Sequence, residues 1–101
     1  MQGLHLHGLP HTLCILGGEP LCPNNLELTT LLVTEVSNKM PEVDIYVWTG
    51  YRIEELRERN DIRTNYILNN IHCLIDGPFI QEERDITLAM RGSRNQRVLY
   101  L

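Results

Sequence analysis

The sequence predicts an α/β domain on a parallel sheet. Three observations carry that prediction. Short apolar runs alternate with longer stretches whose apolar residues recur every three or four positions. Each short run stops at a glycine or polar turn. The whole chain is 101 residues, room for one core and not two. The resulting order, strand, helix, strand, helix, strand, calls for parallel strands joined by right-handed crossovers.

In chain order, residues 1–11 read as an irregular leader, with two glycines, a proline and His5, His7 and His11. The His-x-His pair has no acidic or thiol partner fixed nearby, so no metal site is assigned to it. The domain proper is expected over residues 12–101. Thr12–Leu16 is a continuous apolar run ended by Gly17 and Gly18, which suits a buried parallel strand. Pro20, Pro23, Asn24 and Asn25 mark a loop, with Asn24 or Asn25 as helix N-cap. A helix follows to Met40. Its expected inward face is Leu28, Leu31, Leu32, Val36 and Met40, flanked by Leu26 and Val33. Pro41 ends it.

Asp44–Trp48 is a second strand, β-branched and aromatic, with Trp48 as core or pocket wall. A short charged helix is expected over Arg52–Arg59. Another is expected over Asp61–Asn70, with Ile62, Tyr66, Ile67 and Ile71 inward. Cys73–Ile75 is a third strand, stopped by Asp76-Gly77-Pro78. Residues 86–90 and 98–101 fit short strands or extended tails.

Composition narrows the function classes. Nine basic residues against thirteen acidic give a net charge of −4, unsuited to general binding of nucleic acid or an anionic membrane. No run approaches the ~20 apolar residues of a membrane helix. Cys14, Cys22 and Cys73 are odd in number and irregularly spaced, which excludes a disulfide framework and a self-contained Cys-x-x-Cys site. With no secretion signal, reduced thiols in the cytoplasm are expected.

The chemistry is expected at the strand ends, because ligands of parallel α/β folds bind at the carboxyl ends of strands. Three turns should share that rim: Gly17-Gly18-Glu19, Thr49-Gly50-Tyr51 and Asp76-Gly77. Two residues without side chains allow close backbone approach, and Glu19 adds an anionic acceptor. That set suits a cationic amine better than a phosphate, which would want a lysine nearby; a tight turn with a solvated Glu19 explains the same residues. Asp76 is either an acid–base group or a turn-former. Arg91, Arg94 and Arg97 make a local positive patch that either grips a phosphate or acidic partner surface or balances charge as a solvated tail.

Four motifs occur in series: Leu16-Gly17-Gly18-Glu19-Pro20-Leu21; Val47-Trp48-Thr49-Gly50-Tyr51 with Glu54-Glu55-Leu56; Leu74-Ile75-Asp76-Gly77-Pro78-Phe79; and Arg91-Gly92-Ser93-Arg94-Asn95-Gln96-Arg97. In this order the sequence resembles the anaerobic ribonucleotide reductase activating proteins of the radical S-adenosylmethionine superfamily. The resemblance implies an incomplete β/α barrel with S-adenosylmethionine at the strand C-termini. It implies a [4Fe–4S] cluster on three cysteines of a C-x3-C-x2-C loop. It implies reductive cleavage of the cofactor and a glycyl radical on the reductase large subunit, with electrons from a donor such as flavodoxin or ferredoxin. On these grounds Gly17, Gly18, Glu19, Thr49, Tyr51 and Asp76 are the candidate cofactor-binding residues, and Arg91, Arg94 and Arg97 the candidate partner-binding residues.

The chain departs from that pattern in one decisive respect. It contains no C-x3-C-x2-C, and its three cysteines have the wrong spacing to be remnants of one. No residue is therefore assigned as catalytic or metal-ligating. His72 also stands where the resemblance leads one to expect an acidic residue. The expectation is an N-terminally truncated chain, inactive alone, whose Thr12–Leu16 strand forms an open and aggregation-prone sheet edge. The alternatives are a non-catalytic module that docks on the reductase through Arg91–Arg97, and a small α/β domain for another amine-bearing ligand.

Overall fold

A computed structural model describes residues 4–9, 12–78, 80, 82, 84–85, 91, 93 and 95–101. They form strands β1 (Leu4–Leu9), β2 (Thr12–Gly17), β3 (Asp44–Trp48), β4 (Cys73–Asp76) and β5 (Arg97–Tyr100). The helices are α1 (Leu26–Lys39), α2 (Ile53–Glu58) and α3 (Ile62–Asn70), with a 3₁₀ turn at Pro23–Asn25. The five strands form one sheet in sequence order.

The α/β class stands, with a correction to the sheet. β2, β3 and β4 are parallel, as the crossover helices require, but β1 and β5 run antiparallel to their neighbours, so the sheet is mixed. A second correction concerns the irregular leader. Leu4–Leu9 is a strand that pairs with β2 from Leu4↔Gly17 to Leu9↔Thr12. β2 is therefore interior, and the expected open edge is covered; the outer strands are β1 and β5. The expected element at residues 86–90 lies outside the described residues.

The helices pack on one sheet face. Ile15, Ile45, Val47 and Leu74 alternate onto that face and form one core with Leu26, Val33, Val36, Ile53, Leu56, Ile67 and Leu68. Cys14, Tyr46, Trp48, Cys73 and Ile75 fall on the other face by the same alternation. There Trp48 is half-buried, its ring centroid 6.4 Å from that of Tyr46.

The α1 face differs from the expected one, while α3 keeps Ile67 and Ile71 buried and Tyr66 packed on the core, as expected, and loses Ile62. α1 buries Leu26, Thr29, Val33 and Val36, while Leu28, Leu31 and Met40 are exposed, Leu31 by 57%. The buried face is turned by about one position because Thr29 is an inward residue. Its hydroxyl donates to the Pro20 carbonyl at 2.8 Å, so burial leaves no polar group unpaired. α3 buries Thr64, Ile67 and Leu68 and leaves Ile62 86% exposed. Asp61 caps α3, accepting the Thr64 N–H at 3.0 Å and its hydroxyl at 2.9 Å. Those two bonds pull the Asp61 carboxyl below the usual range. His72 joins the base of β3 and β4: its main-chain N–H donates to the Ile45 carbonyl, and its Nδ1 accepts the Ile45 N–H, each at 2.9 Å.

Candidate functional site

Parallel pairing brings the ends of β2, β3 and β4 to one rim, and the chain laces the three turns together there. Glu19 is the hub. It sits at φ 31°, uncommon for a residue with a side chain. Its carboxylate accepts the Leu21 N–H at 3.0 Å, the Thr49 hydroxyl at 2.7 Å and the Gly50 N–H at 2.6 Å. Glu19 thus ties the β2 turn to the β3 turn. Gly50 suits that contact, since a Cβ there would meet Glu19 Oε1 at 3.2 Å. The β3 and β4 turns are joined by main-chain bonds, Thr49 N–H to Ile75 O and Gly77 N–H to Tyr51 O, both 2.9 Å.

The Gly17–Leu21 turn is rich in acceptors. Asn25, the residue preceding α1, does not cap the helix with its side chain. Its Nδ2 turns back and donates to the Gly18 carbonyl and, at 3.1 Å, to the Glu19 carbonyl. The Glu19 carbonyl also takes the Cys22 N–H at 3.1 Å. Arg59 Nη1 donates to the Leu21 carbonyl at 2.6 Å, and the same guanidinium lies 4.3 Å from the Tyr51 ring centroid. Tyr51 is therefore half-buried beneath a cation.

Asp76 is fully buried at the end of β4 and fully engaged. It accepts the Ile53 N–H, the first of α2, at 2.8 Å. Arg97, its cross-strand partner on β5, donates to it through Nε at 2.9 Å and Nη2 at 2.5 Å. Arg97 also grips Glu54 with two bonds of 2.8 and 2.9 Å. Those bonds hold the Glu54 carboxyl at about 2 and push the Arg97 guanidinium upward. In this arrangement Asp76 anchors the turn: it receives a helix terminus and an ion pair with the part-exposed Arg97.

Two of the three candidate partner-binding arginines already hold bonds within the chain. Arg97 commits four N–H donors to Asp76 and Glu54, and Arg91 Nη1 donates to the Gln96 carbonyl at 2.9 Å. Arg94 lies outside the described residues. Around them, Ser93, Asn95 and Gln96 brace the turn after β4. Asn95 Nδ2 donates to Pro78 O at 2.7 Å, Gln96 Nε2 to Gly77 O at 3.0 Å, and Ile80 N–H to Ser93 Oγ at 3.3 Å. Gly77 itself sits at φ 97°, a conformation that favours glycine. Sequence reasoning gave Asn25 to helix capping and missed Thr29, Arg59 and Glu54; no spacing rule would have flagged them, because each acts across 9 to 43 residues of chain.

With the rim defined, comparison with known proteins is informative. A family model described as a 4Fe-4S single cluster domain matches residues 5–99. The chain belongs to that family. It is 45% identical over 84 residues to the anaerobic ribonucleoside-triphosphate reductase-activating protein of Haemophilus influenzae, covering 83% of this chain and 52% of that protein. The protein of the same name from Escherichia coli K12 is 39% identical over 85 residues, covering 84% and 53%. That of Enterobacteria phage T4 is 35% identical over 86 residues, covering 85% and 51%. The chain thus spans about half the length of the curated relatives it matches. No solved structure matches.

The family match points to an iron–sulfur cofactor, but the thiols of this chain do not fit one. Cys14 and Cys73 pair with Tyr46 from opposite sides, about 9–10 Å apart across two strand spacings. Cys22 lies beyond the end of β2. A cluster needs thiolates that converge on one cube. Among the described residues no group of three His, Cys, Asp or Glu is placed to hold a metal. Burial also raises the Cys14 and Cys73 thiols above their usual range, favouring the neutral form. An ammonium group fits better: at the Gly17–Leu21 turn, Asn25 Oδ1 is buried without a partner beside the carbonyls of Gly18 and Glu19. Two clefts, one of about 540 Å³ lined by Arg57, Asn65 and Tyr100, include none of the residues of the three strand-end turns in their lining. Among the described residues no helix is long and apolar enough to cross a membrane.

Proposed function

We propose that this chain is the S-adenosylmethionine-holding part of an activating protein for anaerobic ribonucleotide reductase, of the radical type that leaves a glycyl radical on the large subunit. One observation carries the reading: three strand-end turns are tied into one acceptor-rich rim, the first two through Glu19, in a chain 39–45% identical to proteins named for that activation. S-adenosylmethionine would supply a carbon-centred radical only on receiving one electron from an iron–sulfur cluster, which the thiols of this chain do not fit. The work of this chain's own residues is binding and orientation. Gly17 and Gly18 leave room for close approach to the main chain. Glu19, Thr49 and Gly50 fix the turn that presents the acceptors, and Tyr51, held under Arg59, walls the same rim. Asp76 serves the site through α2 and Arg97, as an anchor beneath the β4 turn. The parallel β2–β4 portion and its crossovers support reading this part as a segment of a β/α barrel; the antiparallel β1 and β5 do not. The reductase large subunit is the partner this reading implies.

The test is a titration of the 101-residue chain with S-adenosylmethionine, followed by calorimetry and by amide NMR. The expected result is saturable binding that moves the amides of Gly18, Glu19, Thr49 and Gly50. Absence of saturable binding, or shifts confined to the opposite end of the strands, overturns the reading.

A further inference from the structure

Asn25 is only 4% exposed, and its carboxamide is half used. Nδ2 donates to the carbonyls of Gly18 and Glu19, while Oδ1 is buried with no hydrogen-bond partner. The orientation is set by those two carbonyls, since the flipped amide would press Oδ1 against two other acceptors. A buried acceptor left unpaired is costly, and such groups are rare in folded proteins. The covalent geometry of the amide keeps Oδ1 within a few ångströms of the Gly18–Glu19 turn. Beside it the Gly18 carbonyl, which takes one bond here, has acceptor capacity left, and the Glu19 carbonyl is a second acceptor. An unpaired acceptor among further acceptors calls for a donor with several hydrogens and a positive charge. A primary ammonium is that donor.

We infer that Asn25 is a ligand-binding residue of this site: its Oδ1 accepts a hydrogen bond from the α-ammonium group of the bound cofactor, while its Nδ2 keeps the Gly18 and Glu19 carbonyls in place. The inference rests on the reading of the rim as an S-adenosylmethionine site and adds the residue that selects for the amine. It also explains why Asn25 leaves the helix terminus uncapped. The residue faces the turn, where a second acceptor is needed.

The probes are S-adenosylmethionine and its deamino analogue, in which hydrogen replaces the α-amino group. In the wild-type chain the Asn25 side-chain ¹³Cγ and Nδ2H₂ resonances are followed together with the Gly18, Thr49 and Gly50 amides. S-adenosylmethionine is expected to move both sets, and the deamino analogue only the rim amides. Asn25→Ala is expected to weaken S-adenosylmethionine about 10-fold, the scale of one hydrogen bond to a charged group, and the analogue by less than about 3-fold. If both ligands move the Asn25 resonances alike, or neither does while the rim amides respond, the inference fails and the site reading survives. Equal weakening of both ligands by Asn25→Ala makes Asn25 structural only and also overturns it. If no rim amide responds to S-adenosylmethionine, the site reading fails and takes this inference with it. Should Asn25→Ala not fold, the wild-type resonances decide alone.

Discussion

Replacing Glu19 by alanine tests whether the rim is held together as the structure indicates. The carboxylate accepts three hydrogen bonds, from Leu21, Thr49 and Gly50. Bonds to a charged group contribute about 1.5–3 kcal/mol when shielded, and less in the open. The Gly50 bond is exposed and adds about 0.5 kcal/mol at most; the other two, partly buried, add about 1–1.5 kcal/mol each. Alanine also strands the Thr49 hydroxyl, which is buried and keeps only its bond from the Tyr51 N–H. The expected loss is about 2–3 kcal/mol, or a fall of about 10–20 °C in Tm for a domain this size. Glu19→Gln keeps one carbonyl oxygen for Leu21 and Thr49 and gives up the exposed Gly50 bond, so about 1 kcal/mol is expected. Urea unfolding followed by circular dichroism measures both. A Glu19→Ala stability within about 0.5 kcal/mol of wild type, at unchanged m-value, refutes the clamp and returns Glu19 to the role of a solvated turn residue.

The other predictions concern charge, thiols and packing. Glu54 is held at about 2, first by the hydrogen bond from Arg97, so its contribution to stability is full above its ordinary value near 4.5 and is lost as pH falls from there through about 2. A ¹³C titration of the carboxyls should show that low midpoint, and Arg97→Gln should return it toward the ordinary value; an ordinary midpoint in the wild type would remove the ion pair. Cys22 is half-exposed while Cys14 and Cys73 are buried with raised thiols, so iodoacetamide should label Cys22 first and reach the others only on unfolding. Mass spectrometry of partly labelled protein checks the order, and early labelling of Cys73 would contradict the sheet. Leu26→Ala should cost about 2–4 kcal/mol and Leu31→Ala under about 0.5, since α1 buries the first and exposes the second. The reverse ranking would restore the face through Leu28, Leu31 and Leu32.

The elements were legible where local pattern and tertiary burial agree. Asp44–Trp48 needed no help, because a β-branched and aromatic run bounded by turns has one reading. The first strand was missed because Gly3, Gly8 and Pro10 outweighed the period-two alternation of Leu4-His5-Leu6-His7, and pairing with β2 decides in favour of the alternation. The α1 face departs from its hydropathy pattern, and α3 adds an inward residue that hydropathy leaves out, for one cause. Thr29 and Thr64 look polar in sequence, yet each buries its methyl while its hydroxyl bonds inside the chain, to Pro20 O and to Asp61. A hydropathy pattern has no way to see that satisfaction, since it depends on what stands opposite.

The same limit governs the site. Side chains that recognise ligands are also the ones that pair buried main-chain groups, so a motif of Arg, Ser, Asn and Gln reads alike for either task. What separates the two is where each donor and acceptor is already committed. Arg97 is bound to Asp76 and Glu54, Asn95 and Gln96 to the carbonyls of the β4 turn, and Glu19 to the β3 turn. These residues shape the rim, and a ligand would have to displace a bond to use most of them. Gly18 O and Glu19 Oε1 keep partial capacity, but among the described residues the buried side-chain acceptor without a partner is Asn25 Oδ1. A cationic amine that meets it gains a hydrogen bond without breaking one, and that difference in cost is why specificity for the amine should reside at Asn25 rather than in the acidic residues that first drew attention to the strand ends.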